Sequence, residues 1–140
     1  MPTLFTRIID GEIPGVFVWR DAQCVAFLSI NPMHPGHALV VPRAEVDHWI
    51  DLPAETNTHL MGVAQAIGAA QMDAFSPARI GLIIAGLEVP HTHLHVVPID
   101  AERDLSFANA DPDATADALA AAGTRLRAAL TARGATGVSD

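Results

Sequence analysis

The residues with the clearest chemical potential are His91, His93 and His95, set one residue apart in Pro90-His91-Thr92-His93-Leu94-His95-Val96-Val97-Pro98. Imidazole is the one side chain whose ordinary pKa lies near neutrality, so each ring could act as nucleophile, proton carrier or metal ligand at pH 7. Thr92, Leu94, Val96 and Val97 favour extended backbone. A strand sends alternate side chains to opposite faces, which predicts three imidazoles along one face and Thr92, Leu94 and Val96 on the other. Three readings of that row are open: a solvated strand face, a zinc-type site, or a nucleophilic centre with flanking proton carriers.

A strand of this kind needs a sheet and a core beneath it. The chain of 140 residues suits one domain, 1–140. Half of its residues are hydrophobic and 17% are charged, the balance of a folded globular protein. No apolar run reaches the length of a membrane span, and Met1–Arg7 lacks the basic start and apolar run of a signal peptide. Cys24, the one cysteine, reads as a small core residue, and the protein as cytoplasmic. A net charge of −8 argues against nucleic-acid polymers and anionic membranes as partners. There is no lysine, which removes Schiff-base chemistry and the phosphate loop built on Gly-Lys-Ser/Thr. There is no tyrosine either, so any phosphate must be met by His, Arg or backbone amides.

The positioning elements follow from period and punctuation. Thr3 to Ile9 reads as a short helix capped by Thr3, with Leu4, Phe5, Ile8 and Ile9 apolar. Val16–Arg20 and Cys24–Ile30 read as a hairpin turning at Asp21-Ala22, and residues 31–36 as a loop dense in proline and glycine. His37–Pro42 is nearly all apolar and is therefore expected at the centre of a sheet. Asp51 should cap a helix running to about Phe75, whose Leu60, Val63, Ala64 and Ile67 pack on the sheet. Arg79–Ala85 is a fourth strand, pairing antiparallel with the histidine strand. Residues 99–112 read as a polar loop and about 113–133 as a second long helix. Leu119, Ala122, Leu126 and Leu130 form its apolar side. Arg125, Arg127 and Arg133 sit where they would complement its dipole. Residues 134–140 are expected to fray. The order of elements indicates an α+β fold with an antiparallel sheet.

His91-Thr92-His93-Leu94-His95-Val96-Val97 resembles the defining pattern of the histidine triad (HIT) family, in which histidines alternate with apolar residues. Three further stretches resemble it in the right order. Phe5 to Pro14 is similar to the family's first helix and its Gly-Glu-Ile-Pro ending. Ala26 to Pro32 resembles the strand and loop that touch the nucleoside, and Pro35 to Pro42 the segment bearing a fourth site histidine, His37. The match covers roughly residues 3–100.

The resemblance implies a five-stranded antiparallel sheet with flanking helices, paired in a homodimer into a ten-stranded sheet. It implies a nucleotide-binding hydrolase or transferase acting at the α-phosphate of a nucleoside phosphoramidate, dinucleoside polyphosphate or related conjugate. His93 would be the nucleophile and would form a nucleotidyl-histidine, with His91, His95 and His37 contacting phosphate or relaying a proton. A purine nucleotide or conjugate is the partner it implies, held by Leu4, Phe5, Ile8, Phe27, Ser29, Ile30 and Glu88. It calls for no cofactor and no catalytic metal. The alternative is a HIT scaffold that binds a nucleotide or a partner with little turnover. A metal-dependent enzyme resembling cupins, using His37, His93 and His95, would want a glutamate shortly after the pair, and Val96 to Asp100 has none.

Three positions depart from the family's pattern. Ser29 stands where many members hold the ribose with Asp or Asn. Ala85-Gly86-Leu87-Glu88-Val89-Pro90 replaces a longer polar loop. Thr3 and Thr6 stand where some bacterial members carry zinc-binding cysteines, so that zinc site should be absent.

Overall fold

Five short apolar runs pair into one antiparallel sheet, and three helices cover it. The computed structural model describes all 140 residues. In chain order the elements are α1 (Leu4–Ile9), β1 (Phe17–Arg20), β2 (Cys24–Leu28), β3 (Ala38–Pro42), α2 (Ala54–Phe75), β4 (Arg79–Ile83), β5 (Leu94–Ile99) and α3 (Ala116–Ala132). Strand order is β1-β2-β3-β5-β4, every pairing antiparallel. β3 is central, as its unbroken apolar run predicts. No helix is long and apolar enough to cross a membrane.

The sheet has two different faces. One packs on α2 and α3 through Val18, Cys24, Ala26, Val40, Leu94 and Val96 among others, met by Leu60, Val63, Ala64 and Ile67 of α2. Full burial of Leu60, Ile67, Leu126 and Leu130 stabilises the fold by roughly 1.5–3 kcal/mol each. The other face holds a smaller cluster, Phe5, Ile8, Phe17, Val25, Phe27, Leu39 and Val41, closed by α1. Thr3 caps α1, its hydroxyl accepting the Thr6 amide.

Several expectations are corrected. Asp51 does not cap α2: it lies in a 3₁₀ turn, Trp49–Asp51, and Pro53 precedes the helix with no side-chain cap. The arginines of α3 do not serve its dipole. Arg133 pairs with Asp73 of α2 at 2.5 Å, Arg125 stacks over Phe75, and Arg127 donates to the Phe17 carbonyl. Residues 134–140 do not fray, because Val138 bridges Trp19 and the backbone of Gly137 and Ser139 bonds to β1. That tail covers the β1 edge and leaves β4 as the open edge of the sheet.

One glycine fixes the approach to His37. Gly36 has φ +88°, and a Cβ there would lie 2.2 Å from the Phe75 ring. Its carbonyl accepts from Gln71 Nε2 at 2.9 Å, and the same amide donates to Val96 at 2.9 Å. Gln71 thus ties the loop before His37 to the strand that carries His95.

Candidate active site

β5 begins only at Leu94, so His91 and His93 lie ahead of the strand, with His91 in a bend whose amide donates to the Val89 carbonyl. The reason is local: the Thr92 amide and hydroxyl both donate to the Val46 carbonyl, at 2.7 Å each, instead of joining the ladder. The alternation survives. Leu94 and Val96 enter the α2 side, and the imidazoles gather on the opposite side, His91 and His93 edge-on to Phe5 and His95 against His93. They are not a solvated face, since His37, His91, His93 and His95 are all buried.

Hydrogen-bond partners assign the protons, because a carbonyl can only accept and an amide N–H can only donate. His91 Nε2 lies 2.7 Å from the Pro42 carbonyl and carries the proton. Its Nδ1 lies 2.7 Å from Thr3 Oγ1 and accepts the threonine proton. Glu45 completes that corner, accepting the Thr6 hydroxyl at 2.6 Å and the Thr3 amide at 2.9 Å. Two hydroxyls, a carboxylate and a ring already committed to Pro42 are a donor set for hydrogen bonds, not for a zinc-thiolate site.

His93 Nδ1 donates to the His91 carbonyl at 2.7 Å. Its Nε2 therefore keeps an unprotonated lone pair, has no partner within the protein, and is reached by solvent. On the other side the Met33 amide donates to His37 Nδ1 at 3.1 Å, and His37 Nε2–H donates to His95 Nδ1 at 3.0 Å. His95 then presents Nε2–H, again with no protein partner. The His93 and His95 ring centroids are 4.9 Å apart.

Burial keeps these rings neutral. It lowers His37 to about 3 and His95 to about 4, each helped by a neighbouring imidazole. Burial also lowers His91 and His93, with the carbonyl bonds to Pro42 and His91 opposing it. A free imidazole lone pair beside an imidazole N–H is the pairing that attacks an electrophile while protonating its leaving group.

The family model described as HIT domain matches residues 10–102. The chain belongs to the HIT family. An uncharacterized HIT-like protein of Methanocaldococcus jannaschii is 34% identical over 99 residues, covering 68% of this chain and 77% of that one. The adenosine 5'-monophosphoramidase HNT1 of Saccharomyces cerevisiae is 33% identical over 96 residues, covering 68% of this chain and 61% of that one. Among solved structures, a Zn-bound histidine triad family protein from Mycobacterium smegmatis aligns with a TM-score of 0.80 and 31% identity, over 94% of each chain.

The remaining site residues of this HIT protein are placed unequally. Phe5 lies edge-on to His93, centroids 4.8 Å apart, and to Phe27 at 5.6 Å. Phe5, Ile8 and Phe27 are therefore core members that form the floor of the site. Leu4 and Ile30 are exposed, at 45% and 70%. Ser29 is half-buried, its hydroxyl accepting the Asn31 amide at 3.3 Å. Glu88 is exposed on the loop before the triad and is not hydrogen-bonded to the histidines. A cavity of about 440 Å³ opens beside His37, lined by Ser29, His34, Asn109, Asp111 and Thr115 among others.

Two contributors lie beyond what spacing reveals. Phe107, from a 3₁₀ turn in the polar 99–112 stretch, sits edge-on to His95 with centroids 5.1 Å apart. An exposed phenylalanine in a polar run was the available signal. The Thr3–Thr6–Glu45 group is the other, and only its cap was readable. Thr3→Val should lower kcat by roughly tenfold with KM little changed, because His91 carries the carbonyl that orients His93. Thr3→Ser, which keeps the hydroxyl, should restore kcat in steady-state assays.

Proposed function

We propose that this protein is a nucleotide hydrolase or transferase acting at the α-phosphate of a nucleoside phosphoramidate, dinucleoside polyphosphate or related conjugate. The observation that supports it most is the His93 Nε2 lone pair, fixed by the His91 carbonyl and set beside the His95 N–H. Nε2 attacks phosphorus, the bond to the leaving group breaks, and a nucleotidyl-His93 forms. The imidazolium charge on His93 is met by the His91 carbonyl. Negative charge on the bound phosphate favours uptake of a solvent proton at His95 Nδ1, which gives up its bond to His37, and the His95 Nε2 proton then passes to the departing nitrogen or oxygen, leaving the ring neutral. Water or another acceptor then breaks the phosphorus–nitrogen bond and frees the nucleotide. The scheme closes with histidines alone.

We assign Leu4, Phe5, Ile8, Phe27 and Ile30 to the nucleoside, which is a purine. Ser29 faces the ribose, and Glu88 stands at the edge of the substrate. The reading is tested by incubating the protein with adenosine 5'-phosphoramidate and with a dinucleoside polyphosphate. Release of AMP is expected. Calorimetric binding of AMP with no turnover of either compound would favour the binding-protein reading instead. Leu87, 96% exposed where a polar loop would serve phosphate, is the observation on that side.

We also propose that two copies pair across β4, in the cytoplasm, into a ten-stranded sheet. β4 is the uncovered edge, and beside it a groove of about 840 Å³ runs between α2 and the sheet. It exposes Met61, Met72 and Leu82, at 39–42%, around Gly62 and Gly68. It is the larger hollow of the two, but it lies away from the histidines and is lined mainly by apolar atoms. An open edge with an apolar flank is a template for a second strand. Leu82→Arg should convert the dimer to monomer in sedimentation velocity, and a monomeric wild-type protein would refute the pairing.

A further inference from the structure

On the α2 side of the sheet, away from the triad, three side chains with unlike donor atoms converge. Asp21 comes from the β1–β2 turn, Cys24 from the first residue of β2, and His59 from the second turn of α2. Their donor atoms all lie within 4.8 Å of one another. Asp21 Oδ2 is 2.7 Å from His59 Nε2 and 3.6 Å from Cys24 Sγ. We propose that Asp21, Cys24 and His59 form a zinc-type divalent cation site, independent of the proposed catalytic reaction.

The carboxylate is oriented in advance. Oδ1 accepts the Gln23 and Cys24 amides, at 2.8 Å each, which turns Oδ2 towards the other two ligands. The Trp19 indole N–H donates to the same Oδ2 at 2.8 Å. Three donors, from Trp19, His59 and Cys24, thus crowd one oxygen that has two lone pairs. A cation relieves that crowding by replacing two of the three protons, leaving the indole and amides to hold the carboxylate from outside the ligand shell.

Proton balance is simple. The Cys24 S–H bond breaks, sulfur binds the cation, and the proton leaves to solvent. His59 binds the cation through the Nε2 lone pair, with the ring proton held on Nδ1. One thiolate and one carboxylate then neutralise a divalent ion. Sulfur, nitrogen and oxygen donors suit zinc or cobalt and disfavour magnesium and calcium. Bond lengths of about 2.0–2.3 Å put tetrahedral ligand atoms roughly 3.2–3.6 Å apart. The oxygen–sulfur distance already fits. The His59 ring must move back by about half an ångström from its hydrogen bond to Oδ2. Its side chain and that of Asp21 are 30% and 22% exposed, which leaves room for a water as fourth ligand.

Cys24 is the only cysteine in the chain, so a sulfur signal can come from nowhere else. The test is titration of the full-length protein with Co²⁺ at pH 7.5, followed by near-ultraviolet and visible absorption. A sulfur-to-cobalt charge-transfer band with tetrahedral visible bands is expected at one ion per chain, with one proton released. The same spectrum is expected in His93→Ala, and Zn²⁺ should bleach it. His59→Ala, at a half-exposed position, should weaken Co²⁺ binding by at least about tenfold while the protein stays folded. Absence of the sulfur band at stoichiometric Co²⁺, or unchanged affinity in His59→Ala, would overturn the proposal.

Discussion

His93→Ala should lower turnover of adenosine 5'-phosphoramidate by about 10⁴-fold or more, as loss of a covalent nucleophile does elsewhere. AMP should still bind within a few-fold of wild type, because Phe5, Phe27 and the other imidazoles remain. The reason is positional. Nε2 of His93 is the one lone pair in the cluster that is both unprotonated and free, since His37 Nδ1 takes the Met33 amide, His95 Nδ1 takes His37, and His91 Nδ1 takes Thr3. Steady-state kinetics with calorimetry on the same preparation checks both halves. Rates near wild type in the variant would remove His93 from the chemistry.

The second large effect is on stability in acid. His37 and His95 titrate near 3 and 4 when folded and near the ordinary histidine value when unfolded. Between those limits the unfolded chain binds more protons than the native one, so stability rises with pH and falls as pH is lowered. From pH 6.5 to 4.5 each of the two should forfeit about 2 kcal/mol of unfolding free energy, in addition to whatever the carboxylates contribute at the acid end of that range. His91 and His93, also lowered by burial, act in the same direction. Urea denaturation across that range should show the midpoint dropping steadily. His37→Gln should flatten the slope, and a flat wild-type profile would contradict the buried, neutral cluster.

The sequence reading succeeded where the information is local. Alternation of imidazole with Leu94 and Val96 placed the triad and the α2-facing core on opposite sides. Thr3 signalled a cap, and the Leu60–Ile67 spacing gave the buried face of α2. It fell short where partners are remote in the chain. Thr3 meets His91 across 88 residues and Glu45 across 42, and no spacing rule reaches that far. Asp51 has the composition of a cap, but the chain spends it on a 3₁₀ turn and lets Pro53 open the helix. Arg125, Arg127 and Arg133 looked like dipole partners because their acceptors in α2 and β1 become visible only on folding. The tail from residue 134 is polar enough to fray, yet Val138 finds the free edge of β1. His59 meets Asp21 across 38 residues, a contact that spacing does not reveal either.

The central claim is that a single neutral imidazole, aimed through its free nitrogen, becomes covalently loaded. The most direct measurement is rapid quenching during turnover of a nucleoside phosphoramidate, followed by intact-mass analysis and peptide mapping under conditions that preserve phosphorus–nitrogen bonds. The account predicts a nucleotidyl adduct that rises and decays at rates matching turnover and maps to His93. Product formation with the adduct on another histidine, or with no adduct at any time point, would contradict it.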